Sequence, residues 1–297
     1  MENYLFEGNI SVKAAVMGGM REVSEIIVDE AKKDRDTQWI LHRAAERGIP
    51  IVTASRAHIN SLASGHTHGG LLARCGARRF QQLKEIDSEA CFLALIEGIE
   101  DPFNFGMILR TLYAAGCDGV ILPPRNWTSA AATVARASAG ASEYLPLIIA
   151  DEMQQTLHAL KQNGITLICA ERKDAVCLYD FSFPSRLCLA IGGEMRGLSR
   201  TVKEAGEQNV FIPYGRDVRS ALSAVSAAAS AAAVHSAPKR VANQRKEMPH
   251  SIAAPRARSS ARAAFVRACI FSSSPLAAPL SNFWRKIILH FSRNRLY

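Results

Sequence analysis

The sequence predicts an α/β protein whose main part is a parallel sheet covered by helices. Two observations carry this. Short apolar strand-like runs alternate with helix-like segments along most of the 297 residues, and the connections between them are short. The run "CFLALIEG" (91–98) is apolar almost throughout, as a buried strand requires, and it enters a turn followed by helical spacing. A chain of this length can form two domains with buried cores.

The first 80 residues form a small α/β unit. "VSEIIVD" (23–29) is a strand, "TQWILHRAAERG" (37–48) a helix stopping at Gly48, and "IPIVTAS" (49–55) a second strand. "GHTHGGLLAR" (65–74) is a glycine-rich turn entering another strand. Residues 81–90 belong to a polar stretch expected to link this unit to the next. From 91 the rhythm strengthens. A helix follows the first strand as far as Gly116, "DGVILPP" (118–124) is a strand, and "TSAAATVARASAGA" (128–141) is a small-residue helix. "YLPLIIA" (144–150) is a strand, and "DEMQQTLHALKQNG" (151–164) is a helix with acidic residues at its start and a glycine stop. "ITLICAE", "LCLAIGG" and "NVFIPYG" are strands, with a helix over 199–206 between the last two. Residues 219–236 form a helix of very small side chains, suited to close packing on the sheet or on another subunit. Residues 91–238 are therefore one domain. Residues 239–297, rich in Pro, Ser, Ala and Arg without lasting periodicity, are expected to be disordered.

The charge is unevenly placed. The formal net charge is +9, but residues 239–297 hold 12 Lys and Arg against one acid. The first 238 residues hold 24 basic and 26 acidic groups and carry −2. Nucleic-acid binding by the body must therefore rest on local patches such as "ARCGARR" (73–79). No stretch reaches 18 uncharged apolar residues, which argues against a membrane span. The opening "MENYLFEGN" does not read as a secretory signal. Seven scattered cysteines without a CxxC pair read as reduced cytoplasmic thiols, not as a disulfide framework or a metal site.

Three constellations carry chemistry. In "IEDPFNFGMILRT" (99–111), Asp101-Pro102 starts a turn and Asn104 can cap the helix or touch a ligand. Arg110 stands four residues after Gly106 on the same helix face. Alone, this reads as a capped helix with a surface arginine. In "LAIGGEMRGLSRTV" (189–202), a buried strand runs into glycines, where open α/β sheets bind ligands. Glu194 inside that turn would repel a pyrophosphate, which argues against a dinucleotide enzyme. Alone, it is a tight turn with a surface salt bridge. In "VFIPYGRDVRSALSAVS" (210–226), a strand ends at Ile212-Pro213 and a loop leads into the small-residue helix. The GxSxG elbow of serine hydrolases is missing, so helix capping and packing explain its serines.

Together and in this order, the three segments resemble the SpoU (TrmH-like) branch of the SPOUT RNA methyltransferases. Asn104, Gly106 and Arg110 match its first motif, and Gly192, Glu194, Gly197 and Leu198 its second. Ile212 and Pro213 match its third, and "SAGA" (138–141) its small-residue segment. "LFEGNISVKAAV" and "HTHGGLLA" resemble the opening and closing of the substrate-binding domain that many members carry. The resemblance implies a C-terminal trefoil knot, which general topology rules would have excluded. It implies S-adenosylmethionine as cofactor with no metal, a homodimer with composite sites, and methylation of a ribose 2′-hydroxyl in rRNA or tRNA. The implied catalytic residues are Arg110, Asn104 and Glu194. The implied cofactor-binding residues are Gly192, Gly193, Gly197, Ile212, Pro213, Leu222 and Ser223. Because arginine stays protonated, Arg110 is expected to fix an RNA phosphate and lower the pKa of the hydroxyl, not to act as a literal base. The family's third motif commonly reads Ser-Leu-Asn, whereas this chain has Ala221-Leu222-Ser223. A catalytically silent RNA-binding relative of the same fold is the alternative reading.

Overall fold

The computed structural model describes residues 4–65, 67–85, 91–124, 130–217 and 220–247, with the backbone alone for 236–247. The N-terminal unit is built from β1 (Tyr4–Glu7), α1 (Gly8–Gly18), β2 (Arg21–Asp29), α2 (Arg35–Glu46), β3 (Ile51–Ala54), α3 (Arg56–Leu62) and β4 (Leu71–Arg78). Its sheet has the order β1-β4-β2-β3, with β4 antiparallel to both neighbours and β2 parallel to β3. Asp34 starts α2 by accepting the Thr37 amide at 2.9 Å, and Ser55 starts α3 by accepting that of His58. The sequence patterns did not mark β1, α1 or α3. Helix α1 buries Val12, Ala14, Ala15 and Val16, which lie around more than one side of the helix, so its pattern carries no clean amphipathic stripe.

The second sheet contains β5 (Cys91–Glu97), β6 (Gly119–Leu122), β7 (Leu147–Ile149), β8 (Thr166–Ala170), β9 (Ala175–Cys177), β10 (Arg186–Gly192) and β11 (Gln208–Phe211). Its order is β7-β6-β5-β10-β8-β11-β9, and every pair is parallel. The helices are α4 (Pro102–Ala114), α5 (Ala131–Ala137), α6 (Met153–Gln162), α7 (Arg200–Ala205) and α8 (Ala224–Glu247). Strand β5 sends Phe92, Ala94 and Ile96 into a core shared with α4 and α8, and Cys91, Leu93 and Leu95 into one shared with α6 and α7. Burial on both faces is why these strands read as continuous apolar runs. The alanines of α8 lie on the same face as Phe105, Ile108 and Leu112 of α4, so the small-residue helix packs on its own sheet.

Some expectations change. The short β9 carried no pattern of its own. Helix α8 continues to Glu247, into the segment expected to lack order. Its Ala, Gln, Lys and Arg residues are good helix formers, and the helix runs on through Pro238. Residues 248–297 of that segment lie outside the described residues, as do 86–90 of the expected linker, Thr128 and Ser129 of the small-residue helix, and His66. The described part of the linker is not free: the Gln81 amide donates to the Leu147 carbonyl at 2.9 Å, extending the β7 edge.

Burial pushes the thiols of Cys75 and Cys117 up to about 12 and that of Cys169 up to about 11, and it raises Cys188 as well. These residues stay protonated and packed at physiological pH. Brief iodoacetamide treatment of the native protein at pH 8, mapped by mass spectrometry, should modify the half-buried Cys177 ahead of these four. Early labelling of any of the four would contradict the assigned core.

Candidate active site

The two central strands, β5 and β10, define the site. After β5 the chain moves to β6 on one side; after β10 it steps over β8 to β11 on the other. Ligand crevices in open parallel sheets form outside the carboxyl ends of strands that part in this way. Beyond β10 the chain makes a hairpin-like turn in which the Gly197 amide donates to the Gly193 carbonyl at 2.8 Å, with Gly197 at φ +63°. A Cβ on Gly193 would lie 2.0 Å from the Gly98 carbonyl oxygen, and one on Gly192 would lie 2.3 Å from the Gly197 carbonyl carbon. Only glycine permits this approach. Ser199 then caps α7 and also donates its amide and hydroxyl to the Glu97 carboxylate at 2.7 and 3.0 Å. The exits of both central strands are thus tied together.

A cleft of about 250 Å³ opens beside this tie. Gly192, Gly193, Glu194 and Gly197 line it from the turn, and Ile212 and Leu222 from the loop between β11 and α8. Five of these six are the expected cofactor-binding positions, and Glu194 is one of the three expected catalytic residues. Pro213 and Ser223 do not line it. Pro213 is exposed, and the Ser223 hydroxyl accepts the Ser226 amide at 3.2 Å at the start of α8. That hydroxyl caps the start of the helix.

Three lining residues with polar side chains escaped the sequence reading: Glu171, Arg172 and Tyr214. The Tyr214 hydroxyl accepts the Leu222 amide at 2.9 Å, while the Arg172 guanidinium stacks over its ring at 4.3 Å. Tyr214 therefore closes the loop upon itself and ties it to the end of β8. Glu171 pairs with Lys203 at 2.6 Å. That hydrogen bond holds its carboxyl below the usual carboxylate range, so it is ionised at neutral pH. Glu171 and Arg172 follow the carboxyl end of β8, and that position was the available signal.

Helix α4 stands apart. Asp101 is its cap, accepting the amides of Phe103 and Asn104 at 3.2 Å each, with Pro102 in the first turn. Asn104 is half-buried, and its side chain is not the cap. Gly106 and Arg110, expected on one face, diverge. A Cβ on Gly106 would meet that of Ala137 at 2.6 Å, whereas Arg110 is exposed beside Phe103, Met107 and Tyr113. Four residues turn a helix by about 400°, and the offset of about 40° separates a packed position from a solvent-facing one. Within one chain neither Asn104 nor Arg110 lines the cleft, whereas Glu194 does. Among the described residues no group of three His, Cys, Asp or Glu is placed to hold a metal ion, and no helix is long and apolar enough to cross a membrane.

The described architecture has counterparts among known proteins. The model of the SpoU rRNA methylase family matches residues 92–232, and that for RNA 2′-O ribose methyltransferase substrate binding matches residues 5–81. A Staphylococcus haemolyticus protein described as a TrmH family tRNA/rRNA methyltransferase is 31% identical over 232 residues, which are 76% of this chain and 93% of that protein. The SpoU methyltransferase AviRb from Streptomyces viridochromogenes superposes with a TM-score of 0.66 at 21% identity, covering 81% of this chain and 91% of that one. Its complex with the cofactor AdoMet gives a TM-score of 0.64 at 22% identity, covering 80% of this chain and 91% of that one. A full-length relative and two family regions in the same order converge on the parallel sheet and the unit before it: the chain belongs to the SpoU (TrmH) family of RNA methyltransferases.

Proposed function

We propose that the protein transfers a methyl group from S-adenosylmethionine to a ribose 2′-hydroxyl of rRNA or tRNA. The observation that carries this reading is the glycine-tied cleft at the parting of β5 and β10, closed by the Tyr214–Leu222 loop. Its residues fit the cofactor. Ile212, Leu222 and Leu198 give adenine an apolar wall, and the ionised Glu171 accepts hydrogen bonds from hydroxyl or ammonium groups. The backbone of Gly192, Gly193 and Gly197 leaves room for close approach. Bound there, the cofactor supplies a methyl carbon activated by a positive sulfonium.

The protein's own task is alignment and charge. A ribose hydroxyl is a weak nucleophile until its proton departs. Arg110 holds an RNA phosphate and, through its positive field, eases passage of that proton to solvent water as the methyl carbon is attacked. Asn104, one and a half turns before it, orients the substrate or the guanidinium. Because neither lines the cleft of its own chain, we assign the working unit to a cytoplasmic homodimer. The exposed Phe103, Met107 and Tyr113 of α4 support this, since they surround Arg110 with apolar surface that a second copy can cover. In that arrangement Glu194 holds the partner subunit's Arg110. The trefoil knot belongs to the same proposal, supported by the backbone contact of the Gly98 and Gly193 turns and by the packing of α8 against α4.

Calorimetry should detect S-adenosylmethionine binding to the folded protein. Tyr214→Phe, which removes the acceptor for the Leu222 amide, should weaken it roughly 3- to 10-fold, as for one lost hydrogen bond. Absence of binding by folded wild-type protein would sink the cofactor assignment. Labelled methyl groups should enter rRNA or tRNA taken from cells lacking the enzyme. Arg110→Ala should lower that rate by roughly 100-fold or more while leaving cofactor affinity within about twofold. Full activity of the variant removes Arg110 from the mechanism, and an inactive wild type that still binds RNA favours the silent relative.

A further inference from the structure

The core of the N-terminal sheet is completed from outside it. Ala131 and Ala135 of α5 belong to the same buried cluster as Phe6, Val12, Ile26 and Leu71. The other side of α5 meets α4, where a Cβ on Gly106 would lie 2.9 Å from the Val134 carbonyl oxygen as well as against Ala137. The helix is therefore a wedge between the substrate-binding sheet and the helix that carries Asn104 and Arg110.

The residues after the wedge are bolted to the N-terminal sheet. The Glu143 side chain is 1% exposed, accepts Arg21 Nε at 2.8 Å and pairs with Arg78 Nη1 at 3.4 Å. Both guanidiniums are also buried, and Arg78 donates on to the carbonyls of Ser142 and Leu145 at 2.5 and 2.8 Å. Burial lowers Arg78 to about 10, which leaves it a cation at neutral pH. Around this triad the backbones touch. A Cβ on Gly18 would lie 1.9 Å from the Glu143 carbonyl oxygen, and one on Gly140, at φ +84°, would lie 2.6 Å from Ala14 Cβ. Domains joined by a linker ordinarily move relative to one another. Interlocked backbone and a buried, directional ion cluster admit one arrangement.

We infer that Glu143, gripped by Arg21 and Arg78, is a positioning residue for methyl transfer: through α5 it sets the substrate-binding sheet in a single register against the helix bearing Asn104 and Arg110. This rests on the proposed RNA methylation. RNA held by the N-terminal unit then reaches the transfer site already aligned, and small misplacement of reacting groups is costly to rate.

The test is Glu143→Gln in the full chain, assayed well below its own melting temperature. The rate at saturating RNA should fall roughly 10- to 100-fold. Calorimetric affinity for S-adenosylmethionine and filter-binding affinity for the same RNA should stay within about twofold of wild type, because neither binding surface is touched. Arg78→Lys, which keeps the charge and loses the planar fork, should behave alike and serves if the glutamine variant does not fold. A lowered melting temperature with an unchanged rate would make the triad a stabiliser only and overturn the inference. A second readout does not depend on activity. Spin labels on Lys33→Cys and Lys161→Cys, with Cys177 and Cys269 replaced by serine and the labelled chain diluted in excess unlabelled chain so that each dimer holds one labelled copy, should give one narrow distance in the parent and a broadened distribution with Glu143→Gln. Equal widths overturn the inference. An inactive parent with the broadening intact would count against the methylation reading and not against the coupling.

Discussion

The architecture depends on one close approach, the Gly193 turn lying against the backbone at Gly98. Strands β5 and β10 are in register from Cys91 with Arg186 to Glu97 with Gly192, so their exits emerge side by side and must then part. Any side chain at Gly193 would stand 2.0 Å from the Gly98 carbonyl oxygen, inside every van der Waals limit. The pair of hydrogen bonds from Ser199 to Glu97 fastens the second exit to the first just beyond the contact. With the exits held, the turn can bend back on itself and expose its peptide groups on one side. The cleft is the space that bend leaves.

The wall opposite the turn is made by a different device. Among its described residues the loop after β11 contains no helix or strand before α8 begins, and loops carry binding residues best when something rigid fixes them. Tyr214 does this with both of its chemical faces. Its hydroxyl takes the Leu222 amide, and its ring lies under the Arg172 cation. A phenol suits both tasks, having an acceptor oxygen at one end and an electron-rich face along its body. The loop is thereby tied to the end of β8, and cleft shape follows from contacts made across the sheet.

What the sequence makes legible follows from this division. The strands of the main sheet other than the short edge strand β9 are visible because burial on both faces demands uninterrupted apolar runs. The glycine turn is visible because its restriction falls on adjacent residues. Asn104 and Arg110 stand out as polar residues in an apolar helix. Tyr214 and Arg172 do not, since their roles arise from contact between residues far apart in the chain. Ser223 has a second role that alignment does not reveal: its hydroxyl accepts the Ser226 amide at the local helix start. The wedge residues Ala131 and Ala135 look like ordinary helix formers, and that they complete another unit's core cannot be read from spacing.

The buried triad illustrates why such features escape. Arg21 and Glu143 are 122 positions apart, and neither falls in a motif. On stability alone the cluster is hard to justify, because well-packed apolar residues of similar volume often match or exceed a buried ion pair. Apolar side chains, however, would bind the two units through a surface tolerant of sliding, as non-directional contacts are. The Glu143 carboxylate accepts from Arg21 on one oxygen and meets Arg78 and Ser142 on the other, so small rotations leave a buried charge without its partner. That penalty is several kcal/mol in ordinary proteins, and it grows with displacement in every direction. A cluster of this kind is a poor glue and a good ruler. An enzyme that must present one hydroxyl of a large RNA to one methyl carbon needs the ruler.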